Sequence, residues 1–272
     1  MNLLDKDFLL VDKPAGLSSF AVVARVRRIL TEQMREDYTK RGLQAPKRAK
    51  VGHAGTLDPF ATGLLICLLG KGTRRAAEFL KKDKRYEATI ELGKVSTTGD
   101  PEGKIGSILT GVTGPASSLP HGSSTEAEAS VLAPGDPATV TPDSPLLITD
   151  FPTLEQVQSV VSQFQGKITQ RVPAYSAVKI NGRRAYDLAR KGIEVEMPER
   201  EVEIYEIAVV DYEWPYLKID CKVSSGTYIR ALGEDIGKAL GVGGYLTELR
   251  RTEIGDFSVK DAVALEDLGI TS

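Results

Sequence analysis

The segment from residue 50 to residue 63, Lys-Val-Gly-His-Ala-Gly-Thr-Leu-Asp-Pro-Phe-Ala-Thr-Gly, contains a single carboxylate, Asp58. Its three glycines and one proline favour an irregular backbone, and such a loop can present a side chain into a cleft. A carboxylate there can act as a nucleophile. The alternative is a turn residue that accepts hydrogen bonds from nearby amides, because Asp-Pro is a common turn dipeptide. The local sequence leaves both interpretations open.

Other common catalytic and metal-binding groups are scarce in this chain. It contains two histidines, His53 and His121, and two cysteines, Cys67 and Cys221. This inventory disfavours a His/Cys zinc site and a Ser-His-Asp triad. Both cysteines lie in apolar or alternating runs, which favours reduced, half-buried thiols over a disulfide. We therefore expect carboxylate chemistry without a metal.

Charge is distributed unevenly along the sequence. The 272 residues have a formal net charge of -2, which is unexpected for a protein that contacts phosphates. However, no lysine or arginine occurs between Lys104 and Lys167, where several acids do, so the rest of the chain is net basic. Residues 170–200 combine seven basic residues with Tyr175 and Tyr186. That composition suits folded RNA, with a solvated charged face as the alternative for any one residue.

The N-terminal region gives an expectation about location. Acids occur within the first seven residues, and the sequence contains no long uninterrupted apolar stretch. Neither a secretory signal nor a membrane span is therefore expected, and the protein should be cytoplasmic.

Hydrophobic periodicity predicts a mixed α+β chain. Residues 105–148 are rich in small residues and proline, which predicts a flexible surface insertion. A polar, charged connection is predicted over 31–50. Strands are predicted over 8–11, 63–70, 85–92, 201–210 and 216–223, and helices over 20–30 (capped by Ser18 or Ser19), 73–82, 154–164, 228–240 and from about 260.

Taken together, several segments resemble the bacterial tRNA pseudouridine-55 synthases of the TruB type. They occur in family order and span nearly the whole chain outside the insertion. Such an ordered set is much more specific than any one of its motifs. The segments are Asp12-Lys13-Pro14 with Gly16 and Ser18-Ser19, His53 to Gly63, Asp83-Lys84-Arg85-Tyr86, Pro173 with Tyr175-Ser176-Ala177 and Lys179, Gly182 with Tyr186, Ala189-Arg190 and Gly192, Ser225 to Arg230, and Leu249-Arg250-Arg251.

The resemblance implies a pseudouridine synthase fold, with a mixed, mainly antiparallel central sheet flanked by helices. Its catalytic domain would comprise residues 1–104 and 149–272, with residues 170–200 as a thumb-like RNA-binding segment. The implied reaction isomerises uridine 55 in the T-loop of tRNA to pseudouridine, by base flipping and attack from an aspartate. No cofactor is implied, the partner is the T-arm of tRNA, and we expect a monomer.

Three residues acquire implied catalytic roles from the resemblance. Asp58 would act on the uridine, Arg230 would keep it ionised, and Tyr86 would stack on the flipped uracil. Without the resemblance, Arg230 could contact a phosphate and Tyr86 could be a core aromatic. The carboxylate could attack C6 of the ring, capture C1′ or remove a ribose proton, and the sequence does not choose among these routes.

Further residues are implied to bind substrate. His53 would enter the gap that the flipped uridine leaves, Tyr228 would line the pocket and Leu249 would give it an apolar wall. Local hydrogen bonding of His53, and ordinary packing of Tyr228 and Leu249, are the alternatives. The thumb-like segment would clasp the T-arm through cations that include Lys179, Arg183, Arg184 and Arg190.

Two features depart from the family pattern. Relatives generally carry a C-terminal RNA-binding PUA domain, whereas only 17 residues follow Gly255, so we expect none here and weaker or more salt-sensitive binding. The acidic insertion at 105–148 is the second departure. Two alternative functions are a non-catalytic RNA-binding or tRNA-folding protein and a guide-RNA-dependent synthase subunit. The first is disfavoured by Asp58, Tyr86 and Arg230 together, the second by the thumb-like segment.

Overall fold

The computed structural model describes residues 1–108, 151–176, 178–180, 182–193 and 195–268. Three short 3₁₀ helices cover Gly70–Arg75, Val259–Asp261 and Glu266–Leu268. The helices are α1 (Ser19–Lys40), α2 (Ala76–Leu80), α3 (Leu154–Ser162), α4 (Ala185–Ala189) and α5 (Ile229–Ala239). The strands are β1 (Phe8–Lys13), β2 (Val51–Ala54), β3 (Thr62–Leu69), β4 (Lys84–Leu92), β5 (Lys94–Ser96), β6 (Ile105–Ser107), β7 (Gly166–Arg171), β8 (Lys179–Ile180), β9 (Arg183–Arg184), β10 (Glu199–Glu213), β11 (Tyr216–Val223), β12 (Gly244–Ile254), β13 (Phe257–Ser258) and β14 (Val263–Ala264).

A ten-stranded sheet organises the molecule. Its strands follow the order β14-β1-β3-β12-β4-β11-β10-β7, with β2 added to β3 and β13 added to β12. Within this sheet, β1 pairs with β14 and β3 with β12 in parallel, whereas the other described pairs are antiparallel. The predicted mixed, mainly antiparallel sheet with flanking helices is therefore confirmed.

Strand β3 shows why a continuous apolar run predicts a buried strand. Successive side chains of a strand point to opposite faces, and here both faces are covered. Leu65, Cys67 and Leu69 pack with α1, whereas the alternate residues Leu64 and Ile66 join a cluster with Phe79 of α2. Cys67 and Cys221 are free thiols, but both are fully buried and not half-buried as the sequence predicted, because covered sheet faces enclose them.

Helix α1 is longer than predicted. Ser18 caps its N-terminus, but the helix continues to Lys40 through residues predicted as a polar connection. Gln33, in this part of the helix, binds the N-terminal segment. Its side chain accepts from the Leu3 amide at 2.8 Å and donates to the Met1 carbonyl at 2.7 Å. Polarity alone therefore did not mark the end of the helix.

Smaller differences concern other boundaries. Part of the predicted helix 73–82 is a 3₁₀ turn, and residues 51–54 form strand β2 instead of irregular backbone. The first residues of the predicted flexible insertion, 105–107, pair with β5, and Ile108 is buried against the protein. The rest of that insertion, residues 109–148, lies outside the described residues.

The thumb, residues 170–200, leaves the sheet between its edge strand β7 and the neighbouring β10. It contains the β8–β9 hairpin and α4, and a small apolar cluster of its own formed by Val172, Ala185 and Met197. Helix α5 follows β11 and begins beside this segment. The fold therefore brings the thumb to the same end of the sheet as the start of α5.

Candidate active site

Asp58 lies on the loop between β2 and β3, and that loop is fastened to the start of α1. The Ser19 hydroxyl donates to the Leu57 carbonyl at 2.9 Å and accepts from the Leu57 amide at 2.8 Å. Both Ser19 and Leu57 are buried, which excludes competing water. The backbone immediately before Asp58 is therefore held in one position.

The backbone after Asp58 is fastened by a buried lysine. Lys13 has no exposed surface, and its ammonium donates to the carbonyls of Pro14 at 2.8 Å, Leu17 at 2.7 Å and Pro59 at 3.1 Å. Three acceptors match the three protons of an ammonium. Burial lowers the pKa of Lys13 to about 8, with the nearby Asp58 carboxylate opposing that shift. Lys13 thus shapes the turn beside Asp58.

A third anchor is Arg251, whose side chain is almost fully buried. Its Nε donates to the Leu64 carbonyl at 2.8 Å and its Nη2 to the Gly55 carbonyl at 3.0 Å. The chain at Gly63 has φ +99° and runs so close that a Cβ would lie 2.3 Å from the Arg251 carbonyl oxygen. Glycine is therefore required at the end of the loop.

Arg230, on the first turn of α5, forms an ion pair with Asp58. Its Nε lies 3.1 Å from Oδ2 of Asp58, as the resemblance implied. The remaining guanidinium nitrogens are also bound: Nη1 donates to the Asp100 carboxylate and the Thr98 carbonyl, both at 3.0 Å, and Nη2 to the Tyr175 carbonyl at 2.9 Å. Arg230 is only 6% exposed, so its orientation is fixed by the protein.

Asp100 is a site residue that the sequence did not reveal. It is 2% exposed and lies on the loop between β5 and β6. One carboxylate oxygen binds Arg230, while the other accepts from the Thr98 hydroxyl at 2.5 Å and the Glu102 amide at 3.1 Å. The available signal was an aspartate after a glycine in a turn, which is too common to indicate a buried ion pair.

The Asp58 carboxylate occupies a mixed electrostatic environment. Burial raises its pKa above the usual value, and the Asp100 carboxylate adds to that effect, whereas Arg230, Lys13 and Arg251 oppose it. Burial disfavours the charged form, and neighbouring cations favour it. The Asp58 side chain is still 35% exposed, compared with 7% for Arg230. The carboxylate is therefore held by a cation on one side and open to a ligand on the other.

Tyr86 and Leu249 lie in the apolar cluster next to this loop. Tyr86 is 8% exposed on β4, Leu249 is 7% exposed on β12, and both belong to the cluster that contains Leu57 and Ile229. Leu57 precedes Asp58 and Ile229 precedes Arg230. The structure thus brings both predicted residues to the apolar wall behind the ion pair.

Tyr228 connects this wall to the thumb. Its backbone amide donates to the side chain of Gln170 at 3.1 Å, and its carbonyl accepts from the same side chain at 3.3 Å. Its ring packs against the thumb cluster of Val172, Ala185 and Met197. Tyr228 therefore lies between the ion pair of Asp58 with Arg230, which is on the following helix, and the thumb.

His53 lies on β2, the strand that packs against α1. Its ring packs edge-on against Phe20, with centroids 5.1 Å apart and planes at 84°. Its Nδ1 is buried and has no hydrogen-bond partner among the described residues. Burial lowers the pKa of His53, and the charge of Arg251 adds to the shift. The neutral imidazole is therefore favoured.

The four predicted thumb cations are exposed. Lys179 and Arg183 lie on the β8–β9 hairpin, and the guanidinium groups of Arg184 and Arg190 lie 5.8 and 5.5 Å from the centre of the Tyr186 ring. An open groove of about 510 Å³ runs beside them, lined by Lys179, Gly182, Arg183, Arg184, Asp187, Leu188 and Lys191. The thumb therefore presents positive charge around aromatic surface.

The described residues contain neither a cluster of metal-binding side chains nor a helix that could span a membrane. No group of three or more His, Cys, Asp or Glu side chains is arranged there to hold a metal ion. In the same part of the chain, every helix is too short or too polar to span a bilayer.

The sequence matches two family descriptions. Residues 40–115 and 142–229 match "TruB family pseudouridylate synthase (N terminal domain)", and residues 230–270 match "tRNA pseudouridylate synthase B C-terminal domain". Among similar curated proteins, tRNA pseudouridine synthase B of Corynebacterium diphtheriae is 38% identical over 98% of this chain and 73% of its own length. The protein of the same name from Bordetella avium is 38% identical over 96% of this chain and 85% of its own length.

Chains in two solved structures of complexes have a similar fold. A chain in "Crystal Structure of a Cbf5-Nop10-Gar1 Complex" is 26% identical, with a TM-score of 0.58 over 96% of this chain. A chain in "Structure of H/ACA RNP bound to a substrate RNA containing 2'-deoxyuridine" is 25% identical, with a TM-score of 0.56 over 96% of this chain. The present chain spans about half the length of each, 52% and 51%.

Proposed function

Because the chain belongs to the TruB family of pseudouridylate synthases, we propose that it isomerises uridine 55 in the T-loop of tRNA to pseudouridine. The observation that carries this proposal is the Asp58 carboxylate, which is ion-paired with the buried Arg230 and 35% exposed on a fastened loop. The similar curated proteins named tRNA pseudouridine synthase B support tRNA as the substrate.

The reaction needs an ionised carboxylate beside the uridine. The N1–C1′ bond of the uridine breaks, the uracil rotates, and a C5–C1′ bond forms; C5 then loses its proton and N1 gains one. No atom is gained or lost overall, so no cofactor or redox partner is required. The Asp58 carboxylate can attack C6, capture C1′ or remove a ribose proton, and each route requires it to be ionised.

Arg230 favours the ionised form of Asp58 and so opposes burial, which raises the pKa of Asp58. Its guanidinium lies beside one carboxylate oxygen and offsets the cost of burying the charge. Because Asp100 and the Tyr175 carbonyl hold the other end of the guanidinium, Arg230 can orient Asp58 without moving during the reaction. Tyr86 provides an aromatic surface on which the extruded uracil can stack.

Access to the uridine requires base flipping, which costs a few kcal/mol in lost stacking. The neutral His53 ring can occupy the place that the base leaves and so offset part of that cost. The thumb cations then bind phosphates of the T-arm and hold the flipped nucleotide near Asp58. Recognition would rest on the shape of the folded T-arm and on its backbone.

The direct test uses purified protein, an unmodified tRNA transcript and no other component. Pseudouridine is mapped by carbodiimide treatment followed by primer extension, and a stop at position 55 is expected. Asp58→Asn serves as the matched variant, because it keeps the shape of the side chain and should give no stop. Absence of product with the wild-type protein would refute a standalone enzyme, whereas product from Asp58→Asn would refute the role of Asp58.

A further inference from the structure

We propose that the start of α1 and the segment before β2 form a second tRNA-contact surface, with Phe20 stacking on a base and cations binding phosphates. The cations are Arg28, Lys47, Arg48 and Lys50, and we call these four residues the α1 cationic face. The inference rests on the proposed function, because it assigns further contacts to the same substrate. The proposed surface would bind tRNA in addition to the thumb, and it lies on the other half of the sheet.

Two acid-free stretches lie side by side in this region. No aspartate or glutamate occurs between Asp12 and Glu32, and none occurs between Asp37 and Asp58. The stretches are joined by hydrogen bonds from Arg27 to the Val51 carbonyl at 2.9 Å and from the Ala49 amide to the Thr31 hydroxyl at 3.0 Å. Positive charge from distant parts of the sequence therefore accumulates on one face of a chain whose net charge is -2.

The charges of this face are available to a ligand. Arg28, Lys47, Arg48 and Lys50 are all exposed. None of the four forms an ion pair with a carboxylate in the described part of the chain, whereas Arg41 nearby is paired with Asp37. Four exposed cations without acidic partners favour a polyanion, and phosphates along an RNA backbone have that character.

Phe20 adds an aromatic surface at the start of the helix that carries Arg28, against His53 of the strand that follows Lys50. It is 62% exposed, although it lies on the first turn of α1, where Val22 and Val23 turn inward to the core. Its ring meets the His53 ring at 84°, and its exposure leaves ring surface available for stacking. Exposed aromatic rings bind unpaired bases with little dependence on sequence. The ring therefore favours RNA over an acidic protein as the occupant.

The position of Phe20 is fixed relative to Asp58. Ser19, the preceding residue, bonds both the amide and the carbonyl of Leu57, so the helix start and the Asp58 loop form one unit. Helix α1 packs on β2 and β3, whereas the thumb follows β7 at the other edge of the sheet. An RNA whose uridine reaches Asp58 can then be contacted from both sides.

The first test replaces the ring. Phe20→Ala should raise the KM for unmodified tRNA about fivefold or more, and Phe20→Tyr should restore it, since stacking depends on the aromatic face. The rate at saturating tRNA should stay within about twofold of wild type. Tyr216→Ala is the control. Tyr216 is also exposed, but it lies on β11 and pairs with Glu91 at the C-terminal end of β4. Equal KM values for Phe20→Ala and Tyr216→Ala would overturn the role of Phe20.

The second test removes charge. The variant Lys47→Gln/Arg48→Gln/Lys50→Gln should weaken tRNA binding about tenfold at moderate salt and lower the slope of log Kd against log salt by about one per lost phosphate contact. A control with the same charge change, Lys218→Gln/Lys238→Gln/Lys260→Gln, removes exposed lysines from β11, α5 and the 3₁₀ turn before β14. Equal affinities and slopes in the two variants would overturn the role of the cationic face.

The two proposals can fail separately. A wild-type protein that gives no pseudouridine refutes the proposed function. A wild-type protein that is active, with both variants behaving like their controls, refutes the second surface alone. Unchanged melting temperatures would verify that the variants are folded, as expected for changes at exposed side chains.

Discussion

Arginine serves two different purposes at the two ends of this site. Arg230 is 6% exposed, and its three nitrogens are bound by two carboxylates and two backbone carbonyls. The thumb residues Arg183 and Arg184 are exposed, on a two-stranded hairpin outside the main sheet. A guanidinium held on all sides has little freedom to adapt to a ligand, whereas a solvated one can follow the phosphates of an irregular RNA. On the proposed function, we therefore expect the fixed groups to serve the chemical step and the adaptable groups to serve tRNA capture.

The contrast also has an energetic basis. Burying charged groups costs several kcal/mol per ion unless each is paired and hydrogen-bonded, and the Asp58, Arg230 and Asp100 group meets that requirement. The thumb cations stay hydrated, so they bear no such cost in the free protein. Substitutions at the ion-pair group should therefore reduce the rate, and substitutions on the thumb should reduce affinity.

The largest effect is expected from Arg230→Lys. Lysine keeps the positive charge but cannot reach two carboxylates and two carbonyls with one ammonium group. We expect kcat to fall about a hundredfold or more, with a much smaller change in KM. Steady-state kinetics on an unmodified transcript measures both, and circular dichroism checks folding. A kcat within about threefold of wild type would contradict a positioning role for all of the guanidinium nitrogens.

A smaller effect is expected from Asp100→Asn, which tests the residue that only the structure revealed. Loss of one carboxylate loosens Arg230, and kcat should fall about tenfold to a hundredfold. The pH profile adds an independent readout. The proposed mechanism requires ionised Asp58, so activity should decrease as pH falls through the pKa of that group. Because Asp100 raises that pKa, its removal should move the acid limb to lower pH. A limb that stays in place, or moves to higher pH, would contradict the electrostatic account.

The thumb variant Arg183→Gln/Arg184→Gln should change binding alone. We expect KM to rise about tenfold and the salt dependence to weaken, with kcat unchanged, because each lost phosphate contact reduces affinity. The double variant Lys218→Gln/Lys238→Gln removes equal charge elsewhere and should behave as wild type. A reduced kcat in the thumb variant would show that these arginines also act in the chemical step.

The smallest effect on activity is expected from Ser19→Ala. The substitution removes two hydrogen bonds to Leu57 and leaves its buried amide unpaired, which should destabilise the protein by about 1–3 kcal/mol. Activity at a temperature well below unfolding should decrease only a few-fold. Chemical denaturation measures the first quantity. Wild-type stability would mean that the Asp58 loop does not depend on this anchor.

Sequence periodicity predicted the bounds of strands best where whole faces of the sheet are covered. Strand β11 occupies the predicted residues 216–223, and β3 differs by one residue at each end, because alternating or continuous apolar residues follow directly from covered sheet faces. The end of α1 was missed, since the contacts that extend it involve the N-terminal residues Met1 and Leu3. Local polarity carries no information about such distant partners.

The residues of the candidate site could be predicted only where the sequence resembles a known family. The pairing of Asp58 with Arg230, which are 172 positions apart in the sequence, was expected on that basis and not from spacing. Asp100 was missed because its burial results from the meeting of the β5–β6 loop with α5. The roles assigned to His53, Tyr86 and the thumb cations remain predictions that the kinetics must test.

The most direct measurement is the single-turnover rate of pseudouridine formation at saturating tRNA, compared between Asp100→Asn and Arg183→Gln/Arg184→Gln. Saturation removes differences in affinity, so the rate reports the steps after binding. We predict a rate at least tenfold below wild type for Asp100→Asn and a wild-type rate for the thumb variant. A wild-type rate for Asp100→Asn together with a slow thumb variant would contradict the assignment of chemistry to the buried ion-pair group.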